Sequence, residues 1–92
     1  MIGQRVLVVD DEPAIHRFLG PALVANGFTV SAAQTGSEAI RRIAAEAPDA
    51  VVLDLGLPDM DGKDVIAKVR AFSQVPLIVL SARDRGAEKT PP

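Results

Sequence analysis

The sequence predicts an α/β protein: a doubly wound parallel sheet with helices on both sides. Three observations carry that prediction. Val6 to Val9, Val51 to Leu53 and Leu77 to Leu80 are short, unbroken runs of Val, Ile and Leu, the composition of strands buried on both faces and hence of a parallel sheet. The segments between them carry apolar residues at helical spacing, the alternation that builds right-handed crossover units. Each run also ends on an acidic or hydroxyl residue: Asp10, Asp11 and Glu12 after the first, Asp54 after the central one, and Ser81 after the last. Ligands of such sheets bind in the crevice beyond the carboxyl ends of the strands. Asp10, Asp11, Asp54 and Ser81 are therefore expected to converge, although up to seventy-one positions separate them.

After the first strand, Ile15, Phe18, Leu19, Ala22 and Leu23 recur at offsets of three, four, seven and eight, the core stripe of an amphipathic helix. Pro13 suits its first turn, where a missing amide donor costs nothing. Pro21 inside the pattern predicts a kink or a short helix, and Asn26-Gly27 ends it. Phe28 to Ala32 alternates weakly and reads as an edge strand. Thr35-Gly36-Ser37-Glu38 has capping-box spacing; the helix after it turns Ala39, Ile40 and Ile43 inward and ends before Pro48. The central strand leads into a turn-rich loop, Gly56, Pro58, Asp59, Asp61 and Gly62. Asp61 is placed to cap a third helix, from about Gly62 to Phe72, with Val65, Ile66, Val69 and Phe72 facing the core. Pro76 precedes the fourth strand.

Ninety-two residues, 48% of them hydrophobic, describe one small domain with a thin stability margin. A net charge of -2 supplies no basic patch for nucleic acid, so no direct nucleic-acid binding is expected. The chain has no cysteine, which excludes disulfides and thiolate metal sites. Neither a secretory signal nor an apolar run of membrane-spanning length is visible, so no membrane association and a cytoplasmic location are expected. Arg83 to Pro92 reads as a polar tail.

Carboxylates gathered at the ends of neighbouring strands repel one another and persist best around a shared cation. Hard oxygen donors without His or Cys point to Mg²⁺. A metal beside an aspartate in turn suggests phosphoryl transfer, with the aspartate carrying the group as an acyl phosphate. A hydroxyl at Ser81 suits a bond to a phosphoryl oxygen.

The strings Val8-Val9-Asp10-Asp11-Glu12, Val52 to Gly62 and Val79-Leu80-Ser81-Ala82 resemble the receiver domain of two-component response regulators, a flavodoxin-like fold. The likeness runs from about Arg5 to Arg83, and the Asp-x-x-x-Pro-x-x-x-Gly pattern from Asp54 is specific. The wording from Leu53 to Gly62, with Val79 to Arg83, is most similar to the potassium-transport (Kdp) branch of the DNA-binding transcriptional regulators. The resemblance implies that Asp54 is the phosphoacceptor. It makes Asp11, Asp54 and the Gly56 carbonyl direct Mg²⁺ ligands, with Asp10 acting through water and Ser81 as the switch hydroxyl. It implies a sensor histidine kinase as phosphodonor, and a signalling module that catalyses its own phosphorylation rather than a turnover enzyme.

Against that family pattern, residues 1–83 read as a receiver domain truncated after the fourth strand, without the last helix, strand and helix, and 84–92 as the polar tail. Lys89 follows Ser81 by only eight residues and does not replace the family's lysine at the end of a fifth strand. In the strand order 2-1-3-4-5 a missing fifth strand leaves the fourth as an apolar edge, so a homodimer or larger assembly through that strand and the open face is expected.

Simpler readings compete. Asp10 to Glu12 before Pro13 fits a helix cap, and Ser81 a turn former. His16 lies off the apolar stripe and reads as a solvated surface residue, while Phe18, Phe28 and Phe72 read as core. Asp59-x-Asp61-Gly62 lacks the glycine offset and closing glutamate of a calcium loop. At the level of function, the alternatives are a non-signalling oligomerisation or kinase-titrating module and a phosphohydrolase of the haloacid dehalogenase type. The latter needs an acid where this chain has Gly56.

Overall fold

The computed structural model describes residues 3–80; Ser81 and the tail lie outside the described residues. Seven elements follow in order: β1 (Arg5–Val9), α1 (Pro13–Ala25), β2 (Thr29–Ala33), α2 (Gly36–Glu46), β3 (Ala50–Asp54), α3 (Gly62–Arg70) and β4 (Leu77–Leu80). The strands form one parallel sheet in the order β2-β1-β3-β4, the doubly wound arrangement the sequence predicts, with β2 at one edge as expected. Among the described residues, β4 is the other edge.

Register explains the core. Leu7, Val51 and Leu77 align across β1, β3 and β4, as do Val9, Leu53 and Val79 one step of the pleat further on. On that face Leu7, Val51 and Leu53 are 0% exposed, and with Ala39 and Ile43 of α2 and Val65 and Val69 of α3 they make the main hydrophobic cluster. Burying each leucine or valine side chain in this way stabilises the fold by about 1.5–3 kcal/mol relative to leaving it exposed. Val6 and Val8 alternate with these residues along β1 and are also buried.

Helix ends follow their caps. The Thr35 hydroxyl accepts from the Glu38 amide at 3.1 Å, but the Glu38 carboxylate returns to the Gln34 amide rather than to the capping residue itself. Ala47 ends α2 in the left-handed region at φ 47°, because Pro48 disfavours another helical residue before it. Asp61 caps α3, accepting from the Lys63 amide at 3.0 Å.

Helix α1 runs as a single helix of 13 residues through Pro21, which rules out the shorter of the two outcomes expected there, and it departs from expectation in its burial. Proline removes the donor that would bond Arg17, and both residues are exposed, so water can satisfy the Arg17 carbonyl. None of its residues is fully buried. Ile15, Leu19 and Leu23 are half-buried, and Phe18, expected in the core, is 72% exposed. Phe72 is likewise exposed rather than core, since α3 ends at Arg70 and leaves it in the following turn. Among the described residues the main cluster lies on the α2 and α3 side, and no second layer covers the outer residues of α1.

Candidate functional site

Asp10 follows β1 directly, Asp11 comes next, and Asp54 is the last residue of β3, the strand paired beside β1. Parallel neighbours of matched register end together, so three acids distant in sequence share one end of the sheet. Carboxylate oxygens of Asp10, Asp11 and Asp54 lie within 4.8 Å of one another. Asp10 and Asp54 are buried, while Asp11 is partly open to solvent.

Local hydrogen bonds set these side chains. The Glu12 amide donates to Asp10 Oδ1 at 2.8 Å, which turns the chain into α1, and the Asp10 amide donates to the Ala33 carbonyl at 3.0 Å. The cap reading of Asp10 to Glu12 is not met: Glu12 is the N-cap of α1 and no side chain caps that helix, so Asp10 shapes the turn before the helix while taking its place in the acidic cluster. The Gly56 amide donates to Asp54 Oδ1 at 3.2 Å, which sets Gly56 close beside the cluster. The loop then closes where the Gly62 amide donates to the Leu55 carbonyl at 3.1 Å. Ser81, the remaining expected site residue, lies outside the described residues.

Two residues at this end of the sheet escape sequence reasoning. His16 is half-buried rather than solvated, and its Nε2 donates to the Asp10 carbonyl at 2.7 Å. Its position six residues after Asp10, one turn into α1, was a signal that apolar periodicity alone does not weigh. Asp59 caps a helix other than its own: Oδ1 accepts from the Gly36 amide at 2.7 Å, and Oδ2 from the Ser37 amide at 3.0 Å and the Ser37 hydroxyl at 3.1 Å. These bonds hold the Asp59 carboxyl below its ordinary value of 3.8, the Gly36 amide contributing most. The Gln34 amide, and then the Arg42 guanidinium, lower Glu38 in the same way.

Three carboxylates, two of them buried, make an all-oxygen donor set suited to a hard divalent cation. Such a set fits Mg²⁺ and does not suit a soft thiophilic metal.

The model of the response regulator receiver domain matches residues 6–90. The chain belongs to that family. As a receiver domain it is a signalling module and not a turnover enzyme in the ordinary sense. It is 50% identical over 84 residues to the transcriptional regulatory protein KdpE of Mycobacterium tuberculosis strain H37Rv, covering 91% of this chain and 37% of that protein. Against the KDP operon transcriptional regulatory protein KdpE of Escherichia coli K12 the identity is 48% with the same coverage. The chain thus spans little more than a third of the length of these relatives, and the expected likeness to the Kdp branch is found. Among solved structures, it superimposes on the Mg²⁺-bound receiver domain of the sensor histidine kinase PA1611 from Pseudomonas aeruginosa. The TM-score is 0.85 at 29% identity, over 95% of this chain and 74% of that one. A complex of histidine kinase ThkA with response regulator TrrA also matches, with a TM-score of 0.79 at 34% identity, over 86% of this chain and 69% of that one. No helix among the described residues is long and apolar enough to cross a membrane.

Proposed function

We propose that this receiver domain accepts a phosphoryl group on Asp54 from a phosphohistidine of a sensor histidine kinase, in a Mg²⁺-dependent reaction. The supporting observation is the convergence of Asp10, Asp11 and Asp54 within 4.8 Å. Asp11, Asp54 and the Gly56 carbonyl would hold the ion directly, Asp10 through water, and Ser81 would bond the transferred group as the switch hydroxyl. Mg²⁺, when bound, supplies neutralisation of the charge on the phosphoryl oxygens.

The chain's own residues do the rest. One Asp54 oxygen attacks phosphorus as the bond from phosphorus to the donor imidazole nitrogen breaks, giving an acyl phosphate on Asp54 and a free histidine on the kinase. The neighbouring Gly56 amide, already bonded to Oδ1, orients the carboxylate. The Glu12 amide keeps Asp10 turned into the site. No oxidant or further reactant is needed. The kinase as partner is in keeping with the ThkA–TrrA complex, and a DNA-binding transcriptional output in the cytoplasm with the KdpE relatives.

A second reading has its own observation. Ile78 and Val79 of the β4 edge are 52% and 41% exposed, a surface that favours self-association through β4, as in a homodimer or a kinase-titrating oligomer. The deciding experiment is intact mass after incubation with Mg²⁺ and a small acyl-phosphate donor, with Asp54→Asn as control. A gain of one phosphoryl group, lost in the control, is expected. No gain in protein shown to be folded by circular dichroism would refute the phosphoacceptor reading and leave the association reading standing.

A further inference from the structure

The chain from Leu55 to Gly62 carries Gly56 and therefore bears on any ion beside Asp54. Its two ends are tied to each other, since the Gly62 amide reaches the Leu55 carbonyl. Its middle is tied to another element. Asp59 receives three donors from the first turn of α2, and Met60 packs over Gly36 so closely that a Cβ there would lie 2.8 Å from Met60 Sδ and 3.0 Å from Val65 Cγ2. Between Gly56 and this clamp stand only Leu57, which is buried, and Pro58, whose φ is fixed.

We propose that Asp59 is a positioning residue for the phosphoacceptor site, clamping the 55–62 loop to the N-terminus of α2 and thereby fixing the Gly56 backbone beside Asp54. The inference rests on the Mg²⁺-dependent reading above. Geometry favours this role over a merely local one. Thr35 and Glu38 already bond the Glu38 and Gln34 amides, and the Gly36 and Ser37 amides are the first-turn donors that these side chains leave to another partner. A carboxylate from 22 and 23 positions downstream supplies it. Because Asp59 is exposed, its removal leaves no core cavity, so loss of position is separable from loss of fold.

The test compares wild type, Asp59→Ala, Asp59→Asn and Ser37→Ala by Mg²⁺ titration followed on the Gly56 amide resonance, together with hydrogen exchange at Gly36 and Ser37. Asp59→Ala is expected to bind Mg²⁺ about tenfold more weakly, as for partners that orient metal ligands, with Gly36 and Ser37 losing protection and the sheet amides unchanged. Ser37→Ala, which removes one of three bonds, and Asp59→Asn, which keeps an acceptor for Gly36, should fall between. Wild-type Mg²⁺ affinity in Asp59→Ala, with protection at Gly36 lost, would overturn the positioning role and leave the phosphoacceptor reading intact. Failure of the wild type itself to bind Mg²⁺ would overturn both. If Asp59→Ala lost sheet protection as well, the same titration on Ser37→Ala decides: weakened binding supports the role, unchanged binding overturns it.

Discussion

Gly62→Ala tests how tightly the loop beside the acidic cluster is closed. A Cβ at residue 62 would lie 2.7 Å from the Leu55 Cα and 3.2 Å from its Cβ. The first of these atoms is backbone, which cannot swing aside as the end of a side chain can. To reach ordinary van der Waals contact the strand end and the first turn of α3 must part by most of an ångström, stretching the 3.1 Å bond from the Gly62 amide to the Leu55 carbonyl. Overpacking of this kind costs about 1–3 kcal/mol, and a weakened hydrogen bond about 1 kcal/mol more. Replacing glycine in a helix returns less than about 1 kcal/mol. The net expectation is a loss of about 2 kcal/mol, a fall in melting temperature of roughly 8–16 °C for a domain of this size. With no Trp or Tyr in the chain, the assay is urea and thermal unfolding followed by far-ultraviolet circular dichroism. Gly20→Ala is the control: it lies within α1 with nothing within 4 Å of its would-be Cβ, so it should gain about 0.5–1 kcal/mol. An unfolding midpoint for Gly62→Ala at or above wild type, with Gly20→Ala stabilised, would refute the steric argument.

Four further outcomes are expected. Leu53→Ala, at a position 0% exposed, should lose about 2–5 kcal/mol, a large part of what a 92-residue chain has, read as a collapse of the urea midpoint. Phe18→Ser, at a position 72% exposed, should change stability by less than about 0.5 kcal/mol in the same assay. Asp59 and Glu38 both have carboxyls lowered on folding, so the folded state binds fewer protons than the unfolded chain in acid. Their contribution to stability is complete above their ordinary values and is lost as pH falls through the folded ones. The melting-temperature gap between wild type and Asp59→Asn should therefore shrink from pH 7 towards pH 3, and a gap that widened would contradict the assignment. Val79→Lys should reduce any concentration-dependent mass in light scattering, by placing a charge on the β4 edge.

How much of this was legible in the sequence differs by element. The runs Val6 to Val9 and Val51 to Leu53 announced buried strands because both of their faces are covered, and Pro48 and Asn26-Gly27 marked helix ends through backbone constraints that act locally. The acids were legible because each sits where a run stops. Phe18 and Phe72 misled: periodicity identifies a stripe, but it does not know whether another layer stands opposite. Asp59 was opaque for a different reason. Its partners, Gly36 and Ser37, are remote in sequence, and only the folded arrangement of α2 against the β3–α3 loop brings them within reach. His16 was misjudged because a hydrogen bond to a backbone carbonyl leaves no trace in side-chain patterning.

The unequal loading of the two sheet faces also sets an order of events in time. A helix without a fully buried side chain has little free energy of its own resisting local opening, whereas the cluster beneath α2 and α3 opens only with the whole domain. Segment 13–25 is thus the natural first unit to detach, and amides there should exchange fastest among the helices. Yet that same segment is tethered to the acidic end of the sheet by the Glu12 amide on Asp10 and by the His16 ring on the Asp10 carbonyl. Whatever steadies Asp10 steadies the least stable helix with it, and slower exchange along that helix becomes a remote gauge of what the strand ends hold.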